Sequence, residues 1–375
     1  MLSPDFFLNL LKEHQLCFFT GVPDSLLKSL CAYITDNCNS ESHIIAANEG
    51  SAIGLAAGYY LSTGKIPVVY MQNSGIGNAV NPLLSLVDKE VYNIPMILLT
   101  GWRGEPGVKD EPQHIKQGKV TIPLFDAMGI KHIILSTCQD ECAVQLSEAL
   151  KHIEQTKEPV AFIVKKGTFE NYVLQKNIAI DLPMTREFAI RTVANSIKET
   201  SIIVATTGMI SRELFEYREV VRQGHERDFL TVGSMGHASQ IALGIALQTK
   251  DKSVYCFDGD GAVLMHLGSM ATIGSMKPAH FFHIVFNNGA HDSVGGQSTV
   301  GFQIDIPSIA LSCGYEFAVS VKEEHELKNI LNETQSLRGP VLIEVRVRKG
   351  SRKELGRPTT TPVQNKLAFM KYVAE

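Results

Sequence analysis

Long apolar runs are missing from this chain. No uninterrupted stretch reaches the ~18 residues that cross a bilayer, so nothing in it reads as a membrane span. Blocks of lysine and arginine are missing too, and the formal net charge is -4. That balance argues against nucleic acid or an anionic membrane surface as a partner. The opening "MLSPDFFLNLLKEHQL" lacks a basic region followed by an apolar core and a small-residue cleavage site. It reads instead as an amphipathic helix capped near Ser3. The seven cysteines form an odd count without metal-like spacing, Cys138 and Cys142 being a single pair one helical turn apart. They read as thiols in a reducing cytoplasm. With 44% hydrophobic and 20% charged residues over 375 positions, the chain is expected to be soluble and globular, with about two domains.

What the chain does have is alternation. The runs "HIIAANE", "PVVYMQN", "PMILLTG", "PVAFIV", "SIIVATTG", "SVYCFDG", "HFFHIVFNN" and "PVLIEVRV" are near-continuously apolar. Such runs suit parallel strands buried on both faces. Amphipathic segments between them make βαβ units and an open α/β sheet. The sequence also repeats itself. Residues 50 to 75 lie over residues 236 to 261 without a gap, at an offset of 236 − 50 = 186. Gly50, Ala52, Ala56, Gly58, Leu61, Thr63, Val68 and Gly75 fall on Gly236, Ala238, Ala242, Gly244, Leu247, Thr249, Val254 and Gly261. We therefore expect two similar α/β domains, residues 1–175 and 189–375, joined by a polar linker at 176–188. The repeat also isolates what differs. Asp260 faces Ser74, and Met235 faces Glu49, each at a strand end where open α/β sheets place ligands.

The stretch "VYCFDGDGAVL" (254 to 264) carries two aspartates, Asp258 and Asp260, among glycines at a strand end. It has neither the glycine spacing of a dinucleotide site nor the lysine of a nucleoside triphosphate loop. A helix is expected over "AVLMHLGSMATIGSM", then a strand that ends in Asn287 and Asn288. From Asp260 to Asn288 is 28 residues, one helix plus one strand, which brings both side chains to adjacent strand ends. An aspartate oxygen, an asparagine amide oxygen and a backbone carbonyl are hard donors of the kind Mg²⁺ takes, with water and phosphate oxygens completing its octahedron. A diphosphate would complete the site, favoured by the N-terminus of the helix that starts near Ala262.

Gly259-Asp260-Gly261 followed at this spacing by Asn287-Asn288 resembles the binding motif of thiamine diphosphate enzymes. The resemblance implies that Asp260, Asn288 and the Ala290 carbonyl bind Mg²⁺, with Gly259 and Gly261 flanking the metal ligand in a diphosphate-binding domain. The first half would be the pyrimidine-binding domain of the same fold, with no central third domain. Glu49, in "AANEGSAIGLAAGY", matches the family's glutamate, which sets the tautomer of the aminopyrimidine. Met235 resembles the bulky residue that bends the cofactor, and Gly233 would approach the pyrimidine through its backbone. In this family the cofactor lies between domains of two subunits, so self-association, at least as a homodimer, is implied. A non-catalytic protein that merely bound a diphosphate would need no acid at Glu49.

Further segments, "GVPDS", "QNSGIGNAVNPLLSL", "DEPQH", "NNGAHDSVGGQST" and "GSRKELGRP", extend the resemblance through nearly the whole chain. They are similar to family members that decarboxylate 2-oxo acids carrying a second, tetrahedral anion, a phosphonate or a sulfonate. Fusion of both halves in one chain leans toward the phosphonate. Arg352 and Arg357, with Ser351 and exposed backbone amides after the last strand, suit that anion. Asp24 and His114 fall in first-domain loops and are candidate proton-transfer groups. His291 and Asp292, which follow the metal-ligand candidates, are further candidate substrate contacts. Asn73 and Asn78 either orient a carboxylate or cap a helix.

Overall fold

The computed structural model describes residues 1–176, 181–249 and 251–375. The chain divides into two compact units, Met1–Asn177 with Ser293–Gln297 and Ile178–Asp292 with Ser298–Glu375. Residues 177–180, inside the expected linker, lie outside the described residues. The helix Arg186–Ser196, capped by Thr185, begins within that expected linker.

In the first unit six strands, β1 (Phe19–Gly21), β2 (His43–Ile45), β3 (Val68–Gln72), β4 (Ile97–Gly101), β5 (Lys131–Ile134) and β6 (Val160–Val164), form one sheet in the order β2-β1-β3-β4-β6-β5. All pairs are parallel. In the second unit β7 (Ile202–Ala205), β8 (Asp228–Leu230), β9 (Val254–Gly259), β10 (Phe281–Asn287), β11 (Phe317–Val321) and β12 (Val341–Arg346) also pair in parallel. Their order, β8-β7-β9-β10-β12-β11, repeats that of the first sheet strand for strand. The 186-residue offset is thus a repeat of topology: it carries Val68 at the start of β3 onto Val254 at the start of β9.

The residue types dictate the layers. Successive side chains of a strand point to opposite faces. In the first unit Phe19, Val68, Tyr70, Leu99 and Phe162 pack one way and Val69, Met71, Leu98 and Ile163 the other, all fully or almost fully buried. In the second unit Tyr255 and Phe257 face one cluster, Val254 and Cys256 the other. A sheet covered on both faces tolerates only apolar runs in its central strands, which is why these were readable.

Two local expectations fare differently. Pro4–Glu13 is a helix whose N-cap Ser3 accepts a hydrogen bond from the Phe6 amide, as anticipated. The helix expected over residues 262–276 is instead two, Asp260–Met265 and Ser269–Met276. His266 leaves helical geometry at φ −135° and ψ 53°. Its ring packs on Gly236, where a Cβ would lie 2.6 Å from His266 Cδ2, and stands 4.4 Å from the His237 ring.

Candidate active site

Because every strand is parallel, the segments leaving the strands gather at one edge of each sheet, and the singled-out residues all sit there. In the first unit, Glu49 opens the helix Glu49–Thr63 just after β2, with Asn48 capping through the Ser51 amide. Glu49 is 4% exposed. Asn78 Nδ2 donates to its Oε2 at 2.7 Å. Its other oxygen presses on Gly75, where a Cβ would lie 2.2 Å from Oε1. Asn78 therefore serves the glutamate rather than capping a helix.

Two residues before Gly75, buried Asn73 faces a second cluster. Its Nδ2 donates to the Arg103 carbonyl at 2.8 Å and to Thr121 Oγ1 at 2.9 Å, and its Oδ1 accepts from the Arg103 amide. Asn73 thus fixes the loop that leaves β4. Arg103 donates from Nε to Asp110 at 2.8 Å and from Nη1 to Ser25 Oγ at 2.7 Å. Its positive charge also acts on Asp24. Fully buried Asp24 accepts from the Leu26 and Leu27 amides at 2.9 and 3.2 Å. Burial outweighs these bonds and raises its carboxyl to about 6. His114, in the helix Pro112–Ala127, packs its backbone on Gly104, next to Arg103. A Cβ on Gly104 would meet the His114 carbonyl at 1.9 Å, so this close approach requires glycine.

In the second unit, Asp260 follows β9 and Asn288 follows β10. The register opposes Gly259 to Phe286, so the two side chains reach neighbouring strand ends as the spacing required. Asp260 is 3% exposed. Thr299 Oγ1 donates to it in a short hydrogen bond, and the Asn288 backbone amide stabilises its charge. Burial still dominates and raises its carboxyl to about 6. Asn288 Oδ1 accepts from the Ala290 amide at 3.0 Å, and its Nδ2 donates to Asp292 at 2.6 Å. The preceding Asn287 is structural: it donates to the Gly301 carbonyl and to buried Glu344. Met235 Cε and the His291 ring both border Gly261, 3.6 and 3.4 Å from where a Cβ would stand. Burial lowers His291 to about 4. Gly233, at φ 77°, donates its amide to Thr207.

These features match known proteins along most of the chain. Residues 4–130 match the family described as thiamine pyrophosphate enzyme, N-terminal TPP binding domain, and residues 206–345 match its C-terminal TPP binding domain. The chain belongs to the thiamine pyrophosphate-dependent decarboxylases. It is 32% identical to a phosphonopyruvate decarboxylase of Streptomyces viridochromogenes over 92% of this chain and 89% of that one. A phosphonopyruvate decarboxylase of Streptomyces hygroscopicus is also 32% identical, over 95% and 90%. A sulfopyruvate decarboxylase of Methanosarcina acetivorans is 25% identical over 92% and 91%. The protein is accordingly a carboxy-lyase that uses thiamine diphosphate.

The donors around Asp260 suit the diphosphate and a hard cation. One buried carboxylate, one amide oxygen and the Ala290 carbonyl are oxygen donors that fit a hard cation, and a cation would offset the cost of burying the Asp260 charge. Among the described residues, the side chains that converge as a conventional metal cluster are different ones, Cys256, Asp258 and His283. Here the Asp258 oxygens are engaged by the Gly259 amide at 3.0 Å and by His283 at 3.4 Å, and His283 meets the Tyr315 hydroxyl at 3.2 Å. Burial, then Asp258, pushes the Cys256 thiol well above its usual value, the opposite of what a thiolate ligand needs. Asp258 thus supports the turn beneath Asp260.

Of the C-terminal arginines, Arg352 is engaged by acids. Arg352 Nε lies 3.1 and 3.2 Å from the two Glu187 oxygens, and its guanidinium also meets Glu216. Ser351 and Arg357 are exposed. Sequence reasoning passed over Arg103, Thr299 and the structural part of Asp292. Arg103 had a readable signal, since "LLTGWRG" puts it two residues past a buried strand.

Proposed function

We propose that the chain decarboxylates 3-phosphonopyruvate to phosphonoacetaldehyde and CO₂, with Mg²⁺ and thiamine diphosphate, in phosphonate (2-aminoethylphosphonate) biosynthesis. The observation that carries the chemistry is buried Glu49, held by Asn78 and Gly75 at a strand end while a separate oxygen cradle forms around Asp260. Thiamine diphosphate, when bound, supplies the nucleophilic carbon and the electron sink. Asp260, Asn288 and the Ala290 carbonyl would hold Mg²⁺ and through it the diphosphate, with Gly259 and Gly261 flanking the metal ligand. Glu49 holds a proton at the pyrimidine ring nitrogen, where an apolar, buried carboxylate has most effect. Met235 and Gly233 border the cofactor. In the substrate the bond to the carboxylate breaks, CO₂ leaves and one proton takes its place. Asp24, raised to about 6, and His114 are the chain's groups for moving that proton.

Residues 1–175 act as the pyrimidine-binding domain and 189–375 as the diphosphate-binding domain, joined by 176–188. The protein self-associates, and Glu49 of one copy serves the cofactor held by Asp260 of another. Asn73 shapes the substrate side, and His291 contacts substrate. Ser351, Arg352 and Arg357 receive the second anion, for which Arg352 must exchange its carboxylate partners. Arg103, beside Asp24 and Ser25, is a further cation for it. The protein works in the cytoplasm. Over nearly the whole chain the identity to the two phosphonate enzymes, 32%, exceeds the 25% to the single-chain sulfopyruvate enzyme. A separate sulfopyruvate decarboxylase beta subunit is 40% identical over 148 residues, so it is the full-length match that supports phosphonate. Measuring CO₂ release from phosphonopyruvate, sulfopyruvate and pyruvate tests this. Phosphonopyruvate is expected to give the highest kcat/KM; a preference for sulfopyruvate or pyruvate would replace the assignment.

A further inference from the structure

We propose that Asp292 is a positioning residue that sets the direction of the Asn288 amide oxygen, and so tunes how tightly and how selectively the cradle holds its cation. The inference rests on the reading of Asp260 and Asn288 as cation ligands. A side-chain amide presents its oxygen to a metal in a fixed direction only if its other end is held. Asn288 is held at both ends. Its Oδ1 accepts from the Ala290 amide at 3.0 Å, leaving a second lone pair for a cation. Its Nδ2 donates to Asp292 Oδ2 at 2.6 Å. Flipping the amide would break both bonds.

Asp292 is itself immobilised. The same Oδ2 accepts from Arg186 Nη1 at 3.2 Å and from the Gly350 amide at 3.0 Å. Arg186 is clamped in turn by a bidentate pair with Glu213, Nε to Oε2 at 2.8 Å and Nη2 to Oε1 at 3.0 Å. Those two side chains are 5% and 2% exposed. Glu213 takes Nε and Nη2 of Arg186, which fixes the guanidinium and directs Nη1 at Asp292. What Asp292 adds is a rigid link from that pair to a candidate metal ligand. It also ties the start of the C-terminal basic segment, at Gly350, to the same oxygen. Groups that orient metal ligands in this way are typically worth ~10–100-fold in metal affinity. The loss depends on the ion: Mg²⁺ demands near-ideal octahedral geometry, whereas Ca²⁺ accepts six to eight ligands in flexible arrangements.

The test is calorimetric titration of Mg²⁺, and separately of Ca²⁺, into protein saturated with thiamine diphosphate. Asp292→Ala is expected to weaken Mg²⁺ by ~10–100-fold and Ca²⁺ distinctly less. Asp292→Asn, which keeps one acceptor oxygen, should fall between it and the wild type; it carries the test, with the same ordering of the two ions, should the alanine variant not fold. Unchanged Mg²⁺ affinity, or equal losses for both ions, would overturn the inference. Asp260→Ala separates this from failure of the underlying reading. If that variant binds cation and cofactor as the wild type does, the cradle itself is wrong. If it does not, and Asp292→Ala does, only the role of Asp292 falls.

Discussion

Adding one methyl group at Gly75 is expected to cut turnover about a hundredfold while leaving the cofactor bound. A Cβ there would stand 2.2, 2.4 and 2.5 Å from Oε1, Cδ and Cγ of Glu49. The closest of these is about 1.2 Å inside the 3.4 Å at which ordinary contact begins. The glutamate cannot simply rotate, because Asn78 holds Oε2 at 2.7 Å and the Asn78 backbone is itself close to Gly50. The carboxylate must swing by roughly an ångström, a displacement that can cost about 10² in rate, or ~2.7 kcal/mol of transition-state stabilisation. Backbone strain does not confuse the result, since Gly75 has φ −74° and ψ −14°, open to any residue. Gly77, with nothing within 4 Å of its notional Cβ, provides the control. Gly77→Ala should keep full turnover and gain ~0.5–1 kcal/mol of helix stability. The assay is steady-state CO₂ release at saturating thiamine diphosphate and Mg²⁺, alongside calorimetry of cofactor binding. Wild-type kcat in Gly75→Ala would refute the placement of Glu49 at the reacting pyrimidine.

Two other outcomes follow from the same geometry. Asp24 has its carboxyl raised from 3.8 to about 6, so the native protein keeps a proton that the unfolded chain releases. Its contribution to stability is present below pH ~4 and lost as pH climbs through about 6, which amounts to up to ~3 kcal/mol. Cofactor-free Asp24→Asn should therefore resist urea better than wild type at pH 8 and equally at pH 4; no gain at pH 8 would contradict the burial argument. Separately, mixing Glu49→Gln with Asp260→Ala under subunit exchange should restore part of the lost activity, because one site in each mixed pair regains both residues. Sites contained within single chains would give no restoration.

Much of the architecture was legible because central parallel strands are buried on both faces. β3, β4, β6, β7, β9, β10 and β12 all announce themselves as apolar runs, and the short edge strand β2 does so only because its run continues into Ala46 and Ala47. The strands that escaped notice are short or marginal. β5 and β11 are sheet edges with largely half-exposed residues, and β1 and β8 span only three residues each. A partly covered strand carries a weaker hydrophobic pattern, and a three-residue one carries almost none. Asp260 and Glu49 were legible for another reason: the internal repeat aligned each against a residue that cannot do its chemistry. Thr299 and the structural contacts of Arg103 and Asp292 were not, since those contacts depend on partners far away in the chain. Arg103 meets Ser25 across 78 positions, Thr299 meets Asp260 across 39, and Arg186 meets Asp292 across 106. Such pairs exist only once strand order is known. The basic run at 350–358 shows the converse. Its composition suggested an anion site, yet Arg352 rests on Glu187 and Glu216, acids distant in sequence and adjacent in space.

The most direct measurement is on Glu49→Gln, which removes the acid while preserving its shape. Thiamine diphosphate should bind this variant with Mg²⁺ within a few-fold of wild type, because the Asp260 cradle is untouched. CO₂ release from phosphonopyruvate should fall by ~10²–10⁴, the usual worth of a positioned acid or base. Turnover at the wild-type rate with the cofactor fully bound would contradict the assignment of Glu49 and, with it, the division of labour between the two halves of the chain.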